Sequence, residues 1–221
     1  GAPTGGLFGA TAVMTALWHR RMTGEGQRID LSQREAFASI LPELVFDHTL
    51  NDRVQESIGN RHPQFAPHGV YPCLGDDSWI AISVTTDVQF QALCEAIGHP
   101  SLVEDSRYFT MSSRLRNQDD LDRIIGEWTS RQDQNEAMQS LQSRGIPAGA
   151  VLTNQQLLED PHFEARGFFE EATHPDTGTH RYIGMPWKLS DTPVHIRLPS
   201  PGLGEHNDHV LGEILGVTSE K

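Results

Sequence analysis

The stretch that decides the fold of this chain is residues 5–35, GGLFGATAVMTALWHRRMTGEGQRIDLSQRE. Its apolar residues recur at helical spacing, which predicts an amphipathic helix that begins within a few residues of the N-terminus. The residues of that face are Leu7, Ala10, Val13, Met14, Leu17 and Trp18. A strand-like run at 27–31 follows, and Ser32 with Glu35 predicts a capping box that begins a second helix. Because the chain starts directly on a buried helix, we expect it to be the rear part of a longer protein.

Composition excludes several classes of function. The chain has 221 residues and a formal net charge of -13, which argues against nucleic acid or an anionic membrane as partner, since both attract clustered Lys and Arg. It contains neither an apolar run long enough to span a membrane nor a signal-peptide pattern. Cys73 and Cys94 form neither a disulfide framework nor a zinc spacing. We therefore expect buried, reduced thiols and a cytoplasmic protein.

Hydrophobic periodicity and turn residues predict a mixture of helices and hairpins. The predicted helices are 33–50, a helix capped by Asp87 and ended by Gly98, 112–128, 134–144, 155–159 and 205–215. The predicted strands are 69–74, 78–84, 146–152, 168–173 and 180–183. Residues 190–204 are rich in proline and predicted to be extended. This mixture favours an α+β module between about residues 66 and 189.

Several motifs resemble the family III CoA-transferases, the CaiB/BaiF family. The string ALWHRRMTGEGQRIDLS at 16–32 carries the first resemblance. Gly59-Asn60-Arg61-His62-Pro63, APHGVYP at 66–72, GIPAG at 145–149, DPHF at 160–163 and LGEH at 203–206 follow in the family's order. The resemblance covers essentially the whole chain, and the family's proteins are much longer.

The resemblance implies an α/β fold in which a small α+β domain is inserted into a Rossmann-like large domain. Residues 1–65 would be helices and a linker of the large domain, 66–189 the small domain, and 190–221 the return segment and C-terminal helix. The family's long connections imply a dimer whose subunits interlock. A homodimer, or pairing with an N-terminal subunit, is therefore expected.

The resemblance also implies the chemistry. In the family, an aspartate carboxylate attacks an acyl-CoA thioester to give a mixed anhydride and then an enzyme–CoA thioester, from which a second carboxylic acid collects the CoA. Coenzyme A is thus a substrate, and no cofactor is bound permanently. The aspartate position falls on Ala2, which has no nucleophile. We therefore expect the chain alone to be inactive in CoA transfer, with no catalytic residue of its own.

The segment from Gly59 to Pro67 resembles the position of the family's glycine-rich loop, which covers the reaction intermediates. The candidate substrate residues are Gly59, Asn60, Arg61, His62 and His68, of which the charged and imidazole side chains suit a CoA phosphate or an acyl carboxylate. The segment is not glycine-rich, so an ordered linker is an equally good interpretation. Taken singly, each Arg or His of a polar loop is expected to be solvated.

Other groups of side chains have simpler structural interpretations. His206 and His209, near Glu205, have a spacing that suits a metal, but a third ligand is lacking, and no metal is predicted. The Asp160–His162 pair is better explained by an Asp-Pro turn or helix start. Trp79, Trp128 and Trp187 are expected to be core anchors, and the acidic run of Asp119, Asp120 and Asp122 is expected to face solvent.

Two alternative functions stay open. One is an acyl-CoA racemase or isomerase of the same fold, in which acid–base residues exchange the α-proton. The other is a non-catalytic partner subunit or dimerisation scaffold, which Ala2 makes reasonable. In that case the exposed apolar faces of the first and last helices predict association with another chain.

Overall fold

The structure of this chain is a computed structural model that describes residues 2–217. The chain divides into two units, Gly1–Gly59 and Asn60–Lys221. Each unit has its own secondary structure and its own packing.

The first unit consists of helices joined by short connections. They are α1 Ala2–Thr23, α2 Gln33–Ala38 and α3 Pro42–Asn51. Ser32 caps α2 as predicted, since its hydroxyl accepts a hydrogen bond from the Glu35 N–H. The single helix predicted over 33–50 is wrong, because Pro42 lacks an N–H and forces Leu41 out of the helical conformation.

Helix α1 carries apolar residues on most of its circumference. Leu7 and Phe8 line a cavity of about 610 Å³ together with residues 27–31, for which the structure does not show the predicted strand. On the same face as Leu7, Met14 and Trp18 are 66% and 63% exposed. A helix that is apolar nearly all round is typical of the interior of a larger domain.

The second unit is built on a three-stranded antiparallel sheet. Its strands are β1 His68–Pro72, β2 Trp79–Ser83 and β3 Ala148–Val151, in that spatial order. The predicted hairpin at 69–84 is therefore confirmed, with Tyr71 opposite Ile80. Helices α6 Gln118–Thr129 and α7 Gln134–Gln142 pack on this sheet, while α4 Asp87–Ala96 packs against α7 and α5 Met111–Arg116 against α6. The core between them includes Ile80, Ile82, Leu93, Leu121, Ile125 and Leu141.

Two helix predictions in this region need correction. Thr86, not Asp87, caps α4, because its hydroxyl accepts from the Gln89 N–H. The helix predicted over 112–128 is two helices, since Asn117 leaves the helical conformation and its amide donates to the Arg107 and Ser113 carbonyls. An Asn side chain that bonds backbone groups competes with the regular helix.

The chain continues through small elements after β3. They are α8 Asn154–Leu158, α9 Pro161–Ala165, the β4 Phe169–His174 and β5 Gly178–Ile183 hairpin, and a π-helical segment Asp208–Ile214. This hairpin and the final helix agree with the sequence prediction, although the final helix is shorter than 205–215 and widened to π geometry. Within residues 2–217, no helix is both long and apolar enough to cross a membrane.

The predicted core anchors and thiols have mixed outcomes. Trp128 packs against the core, whereas Trp79 and Trp187 are exposed, so the prediction is wrong for those two. Trp79 uses its indole N–H on the Asp77 carboxylate instead. Cys73 and Cys94 are buried free thiols, and burial raises the pKa of Cys94 to about 11, which keeps it protonated.

A fully buried arginine, Arg114 of α5, ties this unit together. Its guanidinium donates to the Ala66 carbonyl at 3.0 Å, the Tyr108 carbonyl at 3.0 Å and the Asp87 carboxylate at 2.6 Å. It also lies 4.4 Å from the centre of the Phe90 ring. These contacts join α5 to three other parts of the chain, since Asp87 and Phe90 both lie on α4.

Replacing Arg114 by leucine should lower the free energy of unfolding by about 2–4 kcal/mol, because the buried carbonyls of Ala66 and Tyr108 lose their donors. The matched control is Arg116→Leu on the same helix, where the side chain is exposed and the change should stay within about 0.5 kcal/mol. Urea unfolding followed by circular dichroism measures both. Equal stabilities of the two variants would contradict this role of Arg114.

Candidate functional site

The candidate substrate loop falls at the division between the two units. Gly59 ends the first unit with a φ of 66°, a left-handed conformation that favours glycine. Residues 60–67, which we name the 60–67 loop, begin the second unit and lead into β1. The site is therefore described from Asn60 onwards.

Arg61 is an ion-paired residue of the 60–67 loop. Its Nη2 donates to Asp119 Oδ1 at 2.5 Å and to Asp122 Oδ2 at 2.8 Å, and its side chain is 37% exposed. The hydrogen bond to Asp119 is the largest contribution that raises the Arg61 pKa above its ordinary value. The expectation of a solvated Arg61 is thus wrong, and an incoming phosphate or carboxylate would have to displace two carboxylates.

The acidic run on α6 is likewise not a simple solvent-facing surface. Asp119 fits that expectation, with its side chain 88% exposed, but the Asp122 side chain is only 26% exposed. Asp120 accepts hydrogen bonds from Tyr108, Arg107 and Arg123. The run therefore organises arginine and tyrosine side chains from other segments.

Tyr71 connects the sheet to this ion pair. Its buried hydroxyl donates to Asp122 Oδ1 at 2.8 Å. Burial, followed by the charge of Asp122, raises the Tyr71 pKa far above its ordinary value, so the phenol stays a donor. Gly69 makes room for this ring, because a Cβ there would lie 3.2 Å from the Tyr71 hydroxyl oxygen.

Three half-buried rings lie next to one another in the loop and at the start of β1. The His62 ring stacks on Phe65 at 4.6 Å and lies 5.3 Å from the His68 ring. His68 Nδ1 is 2.9 Å from Ser83 Oγ on the paired strand. Burial, helped by the nearby His62, lowers the His68 pKa, which favours neutral imidazole at the start of β1.

The second end of the 60–67 loop is fixed by α5. Ala66 and Pro67 are buried, and the peptide bond between them is cis. The Ala66 N–H donates to Met111 Sδ at 3.2 Å, and its carbonyl accepts from Arg114 Nε. Side chains of one helix thus satisfy both backbone groups of Ala66.

Sequence reasoning missed Tyr71, Ser83, Met111 and Arg114 as residues of this region. The only signal for Ser83 was the strand alternation that places it opposite His68. No local pattern distinguishes the buried Arg114 from its exposed neighbour Arg116.

The remaining candidates belong to other elements of the chain. Ala2 is the first residue of α1, and its methyl group is exposed. Asp160 caps α9 by accepting from the backbone N–H groups of His162 and Phe163, so the helix-start interpretation is confirmed. His209 Nδ1 lies 2.7 Å from Glu213 Oε2. Among residues 2–217, no group of three or more His, Cys, Asp or Glu has a metal-binding arrangement.

The geometry indicates that the 60–67 loop is a fixed surface whose backbone donors are partly used within the protein. Two backbone donors of the loop are already bonded, since the Gln64 N–H donates to His62 Nδ1 and the Ala66 N–H to Met111. An oxyanion-binding loop needs such donors free and aimed at the substrate. The imidazole of His62 in this loop and that of His68 at the start of β1 are the side chains best suited to contact a ligand here.

Gly69→Ala should lower the free energy of unfolding by about 1–3 kcal/mol, because the new methyl group pushes a buried, hydrogen-bonded tyrosine out of place. Gly149→Ala on β3 is the matched control, since its added Cβ meets nothing within 4 Å. Urea unfolding of both variants tests the expectation. A Gly69→Ala protein as stable as the wild type would show that the Tyr71 ring has room to move.

The lowered His68 pKa predicts a loss of stability in acid. As the pH falls below the ordinary value of 6.5, the unfolded chain binds a proton at His68 before the folded chain does. The free energy of unfolding should therefore fall between that value and the lower folded-state pKa. His68→Asn should flatten this dependence, whereas the exposed control His99→Asn should retain the wild-type slope. A wild-type slope in His68→Asn would show that His68 does not cause the loss of stability in acid.

Comparison with known proteins places the chain in a family. The sequence model of CoA-transferase family III matches residues 2–207. The chain is 32% identical over 213 residues to succinyl-CoA–D-citramalate CoA-transferase of Chloroflexus aurantiacus, covering 96% of this chain and 53% of that protein. It is 34% identical over 218 residues to the β subunit of succinyl-CoA–L-malate CoA-transferase of the same organism, covering 98% of this chain and 54% of that subunit.

A solved structure gives the same assignment. A CaiB/BaiF family protein from Brucella suis superposes with a TM-score of 0.82 at 27% identity, covering 95% of this chain and 54% of that one. The chain thus spans about half the length of the relatives it matches. A family match over nearly all of residues 2–217, together with this structural likeness, means that the chain belongs to CoA-transferase family III.

Proposed function

We propose that this chain is the C-terminal portion of an enzyme that transfers CoA from an acyl-CoA to a carboxylic acid. The observation that carries this proposal is the match to the family over residues 2–207. Two similar proteins are named for CoA transfer between dicarboxylic acids, succinyl-CoA to D-citramalate and succinate to glutarate. Acyl-CoA and a carboxylic acid are therefore the proposed substrates.

The chemistry we infer needs a carboxylate at the position of Ala2. A carboxylate oxygen there would bond to the acyl carbon while the C–S bond breaks and CoA leaves as thiolate. The thiolate would then attack the enzyme's own carbonyl, release the acid and leave CoA on the enzyme for the second acid to collect. Covalent catalysis of this kind divides one difficult exchange into accessible steps. The methyl group of Ala2 can form neither bond, so this chain alone is proposed to be inactive.

A non-catalytic partner subunit is the second candidate. Ala2 favours it, and one similar protein is itself named as a β subunit. In this role the chain would complete a site whose nucleophile lies on another polypeptide. The exposed apolar residues of α1 support association with further protein, either as a homodimer or with an N-terminal subunit.

Hybrid enzymes test the proposed role of position 2. The matched part of the Chloroflexus citramalate enzyme is replaced by this chain, carrying Ala2, Ala2→Asp or Ala2→Asn. CoA transfer from succinyl-CoA to D-citramalate should stay at background with Ala2 and with the isosteric Asn, and rise at least about a hundredfold with Asp. The chain alone should form no acyl hydroxamate from succinyl-CoA and hydroxylamine.

The outcomes separate the two candidates. Transfer by the Ala2 hybrid at the rate of the Ala2→Asp hybrid would show that position 2 is not the nucleophile. A folded Ala2→Asp hybrid without transfer would count against the enzymatic role and favour the partner subunit. Circular dichroism and size-exclusion chromatography establish the folding of each hybrid.

A further inference from the structure

Helix α6 presents two aspartates in closely similar surroundings. Asp120 accepts from the Tyr108 hydroxyl and pairs with Arg107 at 2.7 Å. Asp122 accepts from the Tyr71 hydroxyl at 2.8 Å and pairs with Arg61 at 2.8 Å. Each carboxylate therefore joins one tyrosine to an arginine outside α6, and Asp120 also pairs with Arg123 of α6 itself.

The two aspartates differ in which segment of the chain supplies the arginine from outside α6. Arg107 also bonds its near neighbour Asp105, so the Asp120 pair stays within one surface region. Arg61 belongs to the 60–67 loop and is 61 residues away from Asp122 in sequence. The Asp122 pair thus links the candidate substrate loop to the packed interior of the second unit.

We propose that Asp122 is a positioning residue that fixes the 60–67 loop through Arg61. This deepens the proposed function and rests on it, because the loop holds the candidate substrate residues Asn60, Arg61 and His62 of the proposed acyl-CoA site. Asp122 does not itself touch the substrate. It sets where the loop presents His62 and the rings packed against it.

Burial indicates that Asp122, and not Asp119, is the carboxylate that holds Arg61 in place. The Asp119 side chain is 88% exposed, so its pair with Arg61 is screened by water and worth little. The Asp122 side chain is 26% exposed, and its second oxygen is held by the buried Tyr71 hydroxyl. A carboxylate held in place on one side loses less entropy when it binds the arginine on the other.

The contact between Arg61 and Asp122 matters because the other end of the loop is also held. Ala66 is held by Met111 and Arg114, both on α5, at the end where the loop enters β1. Arg61 holds the other end to α6. With both ends fixed, the stacked His62 and Phe65 rings have one position relative to His68. Loss of the Asp122 contact frees the first end only.

Limited trypsin digestion of the 221-residue chain tests whether Asp122 holds Arg61, because Arg61 is itself a cleavage site. The digestion rate after Arg61 is followed by mass spectrometry, and cleavage after exposed Arg166 gives an internal reference in the same unit. Asp122→Asn should raise the Arg61 rate at least about threefold relative to Arg166. The matched control Asp120→Asn should leave that ratio unchanged.

Two further variants make the test specific. Asp122→Glu keeps a carboxylate on a longer stem and should retain a ratio near that of the wild type. Tyr71→Phe keeps both charges but removes the hydroxyl that orients Asp122, so it should raise the ratio less than Asp122→Asn. An unchanged ratio in Asp122→Asn, or an equal rise in Asp120→Asn, would overturn the proposal.

The activity of the Ala2→Asp hybrid separates this proposal from the proposed function. Asp122→Asn in that hybrid should raise the KM for succinyl-CoA at least about threefold, whereas Asp120→Asn should not. Identical KM values in the two variants would overturn the role of Asp122 in substrate positioning. An inactive parent hybrid would count against the proposed function, and the digestion ratios would still decide whether Asp122 holds the loop.

Discussion

The second unit depends on the burial of one guanidinium group. The guanidinium of Arg114 is completely buried, and a buried charge must be fully hydrogen-bonded to be tolerated. It meets this requirement with groups from three separate segments, at Ala66, Asp87 and Tyr108. Because Asp87 is largely exposed, much of its charge remains solvated, and the two carbonyls are the partners that need the arginine most. Because the desolvated guanidinium needs the Ala66 carbonyl as a partner, it fixes the end of the 60–67 loop that leads into β1.

That constraint changes how the loop can act. The resemblance to the family implies a mobile, glycine-rich cover, but here both ends of the loop are bonded to helices and Ala66 is completely buried. A segment with satisfied backbone groups and buried contacts has a high free energy of local opening. In the acyl-CoA site that we propose, the loop would contribute a fixed surface that carries the His62 ring, with His68 beside it at the start of β1. Such a surface can shape the site and exclude water, without the closing motion of a lid.

Local signals explain which parts of this structure could be predicted from the sequence. The β1–β2 and β4–β5 hairpins were predicted because alternation and turn residues act over a few positions. The helix breaks at Pro42 and Asn117 were missed because apolar periodicity continues across both. The pairing of Arg61 with Asp122 and the burial of Arg114 depend on residues 61 and 48 positions apart, which no local pattern encodes. Candidate residues of the 60–67 loop could thus be named from the sequence, whereas their partners could not.

The position of Ala2 gives the proposed chemistry a physical rationale. It is the first residue of the 22-residue helix α1, where the helix dipole is positive and favours a negative charge. A carboxylate there would stay ionised and ready to attack, and the same field would stabilise the oxyanion that forms on the acyl carbon. The field is strongest when water is excluded, and the apolar circumference of α1 suits a helix enclosed by further protein. An alanine at this position keeps the helix and its dipole but supplies no charge for that field to act on. The electrostatic setting and the reactive group are therefore separable features of α1.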